Sequence, residues 1–299
     1  MLIGVEWTSS SFSAELIDNG GTVLAQTHHP VGTNAVADRD FAARCAELLP
    51  AGWLRQAEAV YFSGMVTARN GWRETGFVPA PAGFADLAGA ATIVQGETIP
   101  HIFLPGISAA GALPDVMRGE ELKALAAGDG MASAVVILPG AHTKYVAIKD
   151  GRITGLATYM GGEIANLLRK DSLVGRLIPP VATIDGTGFE RGLRTSWLGD
   201  LPGGPLRRIF SARSLVLFDR MPPGEISGYI AGLLAGAEIA EAQAEWPLQE
   251  ASVLVVGASP EALRYQRALE LRGIAAQSVA AATAPSFARL HAKLASRLP

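Results

Sequence analysis

The sequence predicts an α/β chain of two similar half-domains, each aiming a polar turn at a shared cleft. Two segments carry that prediction. Residues 2–7 (L-I-G-V-E-W) form a short buried strand with one carboxylate, Glu6, at its mouth, and a hydroxyl-rich turn from Thr8 to Ser11 follows. A second strand over 12–17, an Asn19-Gly20-Gly21 turn and a third strand from Thr22 complete the unit. The same grammar returns at 134–138, with the turn Pro139-Gly140-Ala141-His142-Thr143, a strand over 144–148, an Asp150-Gly151 turn and a strand from Ile153. Asn-Gly and Asp-Gly between extended apolar runs signal hairpins, because type I′ turns need positive φ at both central positions.

The other elements follow in order. A helical pattern over 38–49 places Cys45 as a small core residue. A strand is expected at 59–63, then a Gly/Pro-rich binding loop over 64–84, and a short strand at 102–104 ended by Pro105-Gly106. Residues 120–127 read as a helix, and Gly128-Asp129-Gly130 marks the domain change. The expected lobes are therefore 1–128 and 129–285, with a C-terminal helix over 286–299 packing back on the first. In the second half, helices are expected over 162–170 and 225–244; small residues such as Gly228, Gly232 and Gly236 let a neighbouring backbone approach the latter. Residues 252–256 form a strand ended by Gly257-Ala258-Ser259-Pro260, and Pro260 suits the first turn of a helix over 261–272. An amphipathic helix over about 284–298 closes the chain.

With 299 residues and 49% apolar content, the chain can bury two cores. A net charge of −3 and a pI near 6.0 leave no electrostatic footprint for nucleic acid or membrane. One cysteine rules out a disulfide framework or a thiolate metal site within one chain. No signal-peptide pattern precedes the first strand, and the most apolar stretch, 226–237, is too short to span a bilayer. A soluble cytoplasmic protein is expected, with a homodimer left open.

Four blocks together narrow the function: G-M-V-T-A-R-N-G-W (64–72), V-M-R-G-E-E (116–121), L-P-G-A-H-T-K-Y-V (138–146) and M-G-G-E (160–163). In this order and spacing they resemble the 2-dehydro-3-deoxygalactonokinase family, also called 2-keto-3-deoxygalactonate kinases. The segments I-A-G-L-L-A-G-A-E-I (230–239) and 254–265 are similar to that family too. The resemblance implies a two-lobed actin-like, ribonuclease-H-like ATPase fold, ATP and Mg²⁺ as cofactors, and a small sugar acid as partner. The implied reaction phosphorylates the 6-hydroxyl of 2-dehydro-3-deoxy-D-galactonate or a close analogue.

A primary alcohol is a very weak acid and needs a carboxylate to take its proton as the phosphoryl group transfers. Glu120 is the candidate base and Glu121 the second; the competing account is two acids decorating a helix N-terminus. Arg118 can fork to the substrate carboxylate, or pair on the surface with Asp115 or Glu120. Arg69 and Asn70, beside Gly64 and Trp72, are candidates for the sugar hydroxyls, with a solvated Arg69 as the alternative. Lys144 is a candidate for the phosphate or its developing charge, against a plain solvent-facing lysine. His142 reads as a turn residue rather than a metal ligand, since no partner has suitable spacing. Glu163 can cap a helix or orient substrate. For the nucleotide, the resemblance points to Glu6, Thr8, Ser9, Ser10, Gly140, His142, Thr143 and Gly257, with Glu6 as the metal carboxylate.

Departures from the family pattern concentrate on the phosphate side. Glu6 stands for aspartate, Thr8 for glycine and Ser13 for arginine; Ala141 and Gly161 stand for threonines, and Leu122 and Lys123 for threonine and glutamine. Two readings stand: a working sugar-acid kinase with an adapted phosphate site, or a catalytically silent relative that binds a sugar acid or nucleotide as a sensor or partner protein.

Overall fold

The computed structural model describes residues 1–180, 183–184 and 186–298. Its strands are β1 (Leu2–Trp7), β2 (Phe12–Ile17), β3 (Val23–His29), β4 (Val60–Ser63), β5 (Phe77–Pro79), β6 (Thr92–Gln95) and β7 (Pro100–Phe103). They continue as β8 (Gly106–Ala109), β9 (Asp115–Met117), β10 (Ser133–Leu138), β11 (Thr143–Lys149), β12 (Arg152–Tyr159), β13 (Val253–Val256) and β14 (Ala276–Val279). Three sheets result, with orders β3-β2-β1-β4-β7-β6, β12-β11-β10-β13-β14 and β5-β8-β9. In the first two, an antiparallel three-strand meander runs into a parallel strand, so the repeated grammar of the sequence becomes a repeated topology.

The contacts divide the chain into two compact units. One comprises 1–134, 146–156 and 280–299; the other comprises 135–145 and 157–279. Residues 146–156 join the first unit through reciprocal backbone hydrogen bonds between Ala82 and Ile153, at 2.8 and 2.9 Å, and through the Arg152–Asp86 ion pair.

The two hairpins differ in their chemistry. Asp150 and Gly151 have φ of 49° and 70°, as a type I′ turn requires. The Asn19-Gly20-Gly21 turn does not: only Gly21, at φ 90°, enters the left-handed region. There Asp18 Oδ1 accepts from the amides of Gly20 and Thr22, at 2.9 and 2.8 Å, and an Asx-type turn absorbs the extra residue. The 64–84 segment is likewise more than a loop, because β5 pairs in parallel with β8. The strand expected at 102–104 begins earlier, at Pro100.

In the first unit, Ile3, Val5, Trp7, Phe12, Phe41, Phe62 and Phe103 form the core. The helix Ala284–Leu294 lies on β1 at Gly4, where an added Cβ would sit 2.3 Å from the Phe287 ring. Ser286 Oγ donates to Leu122 O at 2.8 Å, tying that helix to Glu120–Ala127. In the second unit, the helix Ile226–Glu245 packs on Gly186–Trp197, an element the sequence patterns missed. A Cβ on Gly232 would sit 2.0 Å from Phe189 O, and one on Gly236 would sit 2.0 Å from Ser196 Oγ, so the small residues do admit a close neighbour. No described helix is long and apolar enough to cross a membrane.

Candidate active site

The first unit gathers its candidate residues where three backbone segments meet. Gly64, at the end of β4, has φ 91°, and a Cβ there would lie 2.9 Å from Trp7 O. Gly119, at φ 108°, brings its own Cα face to within 3.1 Å of Gly64 Cα on the same measure. Side chains at either position would force these segments apart, so the glycines set the spacing of the site. Gly119 leads into the helix Glu120–Ala127.

That junction fixes two carboxylates differently. Glu120 is half-buried, and its Oε2 accepts from Arg118 N at 3.0 Å. Glu121 is 1% exposed and its Oε2 accepts from Gly119 N at 2.7 Å. Burial, reinforced by the neighbouring Glu120 charge, pushes Glu121 up to about 8 against the opposing pull of the amides and Arg118. At neutral pH Glu121 therefore keeps its own proton.

Arg118 does not face outward. Its Nη1 donates to Thr67 O and Oγ1 at 2.8 Å and to Thr75 Oγ1 at 2.7 Å; its Nη2 donates to Thr75 O at 3.0 Å. The guanidinium also lies 4.4 Å from the Phe77 ring centroid. Both Nη groups thus bond to the protein, where they clamp the 64–76 loop against β9. Trp72 is half-buried and packs among Phe62, His101 and Phe103. Arg69 and Asn70 remain exposed, and Arg69 approaches Glu74 at 3.5 Å.

Thr8 closes the β1–β2 turn on itself. Its Oγ1 accepts from the amides of Ser10 and Ser11, at 3.2 and 3.0 Å, and its own amide donates to Ser11 O at 2.9 Å. Ser9 and Ser10 are exposed. Glu6, the expected metal carboxylate, instead takes Lys123 Nζ at 2.5 Å, with both side chains about four-fifths buried (21% and 23% exposed). Directly across from Glu6 in the β1–β2 register stands Ser13, whose Oγ meets His28 Nδ1 at 2.9 Å. A recess of about 490 Å³ opens here, lined by Glu6, Ser13, Glu15, His28, Lys123 and Thr283 among others.

The second unit carries the other polar turn. Space around Gly140 is open, with nothing nearer than 4.0 Å to an added Cβ, and Gly257, at φ 99°, is equally unobstructed. Gly162 packs against the turn, where a Cβ would lie 2.3 Å from Gly140 O. His142 Nε2 contacts Glu163 Oε2, which ties the turn to the helix Gly161–Asp171. Thr143 is buried, and Lys144, also buried, donates to Thr158 Oγ1 at 2.7 Å. A hollow of about 130 Å³ lies between this helix and Pro260–Leu271, lined by Gly161, Asn166, Arg169, Glu261, Arg264 and Tyr265 among others.

These residues fit a nucleotide in one respect and resist it in another. Bare glycine backbone at Gly140 and Gly257, with a cationic hollow beside it, suits phosphate and ribose chemistry. The β1–β2 turn, by contrast, has its amides satisfied by Thr8 and its carboxylate held by Lys123. Among the described residues no cluster of three or more metal-ligating side chains occurs. A hard cation brought by a nucleotide needs only one or two carboxylates besides phosphate and water, so Glu6 could serve only by exchanging its lysine partner.

Two residues given no role in the sequence reading emerge here. Lys123 reaches Glu6 across 117 positions, a pairing no local pattern shows. Glu238 is 4% exposed, and a lone glutamate in the run I-A-G-L-L-A-G-A-E-I was the available signal.

The model of the family 2-keto-3-deoxy-galactonokinase matches residues 6–289. The 2-dehydro-3-deoxygalactonokinase of Escherichia coli (strain K12) is 31% identical over 286 residues, spanning 94% of each chain. A relative from Rhizobium meliloti (strain 1021), named Probable 2-dehydro-3-deoxygalactonokinase, is 30% identical over 278 residues, spanning 92% of this chain and 90% of its own. The crystal structure of a Sinorhizobium meliloti protein named for the same kinase superposes with a TM-score of 0.86 at 29% identity, over all of both chains. The activator of 2-hydroxyisocaproyl-CoA dehydratase from Clostridium difficile, at 12% identity and a TM-score of 0.52 over 99% of this chain and 96% of its own, shares the actin-like ATPase fold. The chain belongs to the 2-keto-3-deoxy-galactonokinase family.

Proposed function

We propose that this chain is an ATP-dependent sugar-acid kinase that phosphorylates the 6-hydroxyl of 2-dehydro-3-deoxy-D-galactonate or a close analogue. The observation that carries the reading is Glu120, a half-buried carboxylate held by Arg118 N at the start of its helix. Its fixed position lets it take the hydroxyl proton as the new O–P bond forms. Glu121, already protonated at neutral pH, instead anchors the Gly119 turn.

With the Arg118 Nη groups bonded to the loop, the exposed Arg69 of the 64–72 block is the guanidinium that would meet the substrate carboxylate, beside Asn70. ATP, carried with Mg²⁺, supplies the phosphoryl group when bound. Gly140 and Gly257, whose faces are unobstructed, would let its phosphates and sugar approach the backbone, with the buried Thr143 and the His142–Glu163 pair bracing that turn.

The test is ADP release over a panel of 2-keto-3-deoxy acids, with ³¹P NMR of the product. Sugar-acid-dependent ADP formation and a phosphomonoester on the terminal carbon are expected. No turnover with any acid, or phosphate on another hydroxyl, would overturn the reading.

A further inference from the structure

Glu238 is a buried acid without a role in the reaction as described. It lies on the inward face of the helix Ile226–Glu245, and neither carboxylate oxygen completes a hydrogen bond. The hydroxyls of Tyr265 and Thr143 approach it closely enough to favour its ionised form without reaching normal bonding geometry. Thr143 Oγ1 in turn donates to Tyr265 OH at 3.2 Å, so the acid sits at the root of a hydroxyl chain that begins in the polar turn. Gly161, the first residue of its helix, leaves room for the carboxyl group: a Cβ there would lie 2.6 Å from Glu238 Oε2.

The groups that face this carboxyl are neutral or acidic. Tyr265 and Glu261 come from the helix Pro260–Leu271, Thr143 and Tyr145 from β11, Tyr159 from β12, and Glu241 from its own helix. Burial holds the Tyr145 and Tyr265 phenols above their ordinary range, so they stay uncharged. At the rim of the same turn, His142 and Glu163 are paired with each other. Burial, with no opposing cation among these groups, pushes Glu238 up to about 8.

We propose that Glu238 is a positioning residue for nucleotide binding: a buried carboxyl group that keeps its proton beneath the Gly140–Thr143 turn, so that it adds no buried negative charge behind the phosphates there. The inference rests on the reading of that turn as the phosphate site. Loss of the proton places an uncompensated anion behind the turn, and only the protonated fraction binds phosphate well. At pH 9 that fraction is about a tenth, which weakens apparent affinity about tenfold relative to the protonated form. The nucleotide's own phosphates, with a last pKa near ~6, do not change charge over this window.

The test is calorimetry of the full chain at pH 7 and pH 9, with Mg²⁺ fixed, using ADP and uncharged adenosine as probes. ADP should weaken about tenfold in the native protein and less than about twofold in Glu238→Gln, which keeps the shape and the neutral state. Adenosine should be indifferent to pH in both. Glu121 also titrates near 8, in the first unit, so the Glu238→Gln comparison is what assigns the effect. An ADP affinity that falls equally in both proteins, or does not fall at all, would overturn the inference while leaving the kinase reading intact. Equal weakening of adenosine would show the turn opening rather than charge repulsion, and would overturn it also. Absence of nucleotide binding at any pH would remove the kinase reading and this inference with it.

Discussion

Replacing Glu6 by aspartate asks whether the Glu6–Lys123 pair governs the altered phosphate turn. The longer carboxylate reaches Lys123 Nζ at 2.5 Å. Removing one methylene withdraws it by about 1.5 Å, a single C–C bond, to a separation of about 4 Å. At an effective dielectric constant of about 20, the Coulomb attraction falls from about 6.6 to about 4.2 kcal/mol. Both side chains keep about a fifth of their surface exposed, and solvent screening reduces the net loss to about 1–2 kcal/mol. Glu6→Asp alone should therefore lower stability by that amount in urea unfolding, without raising kcat. Adding Lys123→Gln removes the competing cation and frees the shorter carboxylate for the metal ion that arrives with ATP. In a coupled ADP-release assay the double variant should exceed the single variant about tenfold in kcat, equivalent to about 1.4 kcal/mol of barrier. A Glu6→Asp protein as stable as the native chain would refute the pairing. A double variant slower than the single one would show that Lys123 serves the phosphate directly.

Glu120→Gln should lower kcat by about 10²–10⁴-fold while sugar-acid affinity in calorimetry stays within about threefold; unchanged turnover would move the proton transfer elsewhere. Arg118→Lys keeps the charge but loses the fork to Thr67 and Thr75, and should cost about 2–3 kcal/mol in urea unfolding. A weaker sugar-acid affinity at unchanged stability would instead make Arg118 a substrate ligand. Thr8→Gly should release the amides of Ser10 and Ser11 and tighten ADP binding several-fold, read by calorimetry; no change would mean that phosphate does not approach this turn. Glu121 and Glu238 both rise in the folded protein from an ordinary 4.5 to about 8. Their native states hold protons the unfolded chain has released, so the contribution is full below about 4.5 and is lost as pH climbs through about 8. Denaturation midpoints should fall across that window, and Glu121→Gln should flatten the slope.

Family membership answers the choice the sequence left open between a kinase and a silent relative in favour of the kinase. What the sequence determined by itself is what depends on near neighbours. The helix at Glu120–Ala127 was readable from periodicity, the Asp150-Gly151 hairpin from two adjacent positive-φ positions, and the close approach at Gly232 and Gly236 from missing side chains. The Asn19-Gly20-Gly21 turn was readable as a turn but not in type, because Asp18 supplies a side-chain acceptor that competes with the expected geometry.

The site residues were legible as a set of blocks, while their partners were not. Arg118 was a carboxylate fork on paper, yet Thr67 and Thr75, 51 and 43 positions away, accept its hydrogen bonds. Glu6 was expected to be the metal carboxylate, and its contact with Lys123 spans 117 positions that no local pattern links. Glu238 was one polar residue in an apolar helix, and its protonation follows from desolvation by elements drawn from β11, β12 and the Pro260–Leu271 helix. Backbone conformation is set by residues a few positions apart, so a sequence displays it directly. Charge pairing and burial depend on groups that only the packed chain brings within a few ångströms, and those decided what each functional side chain can do.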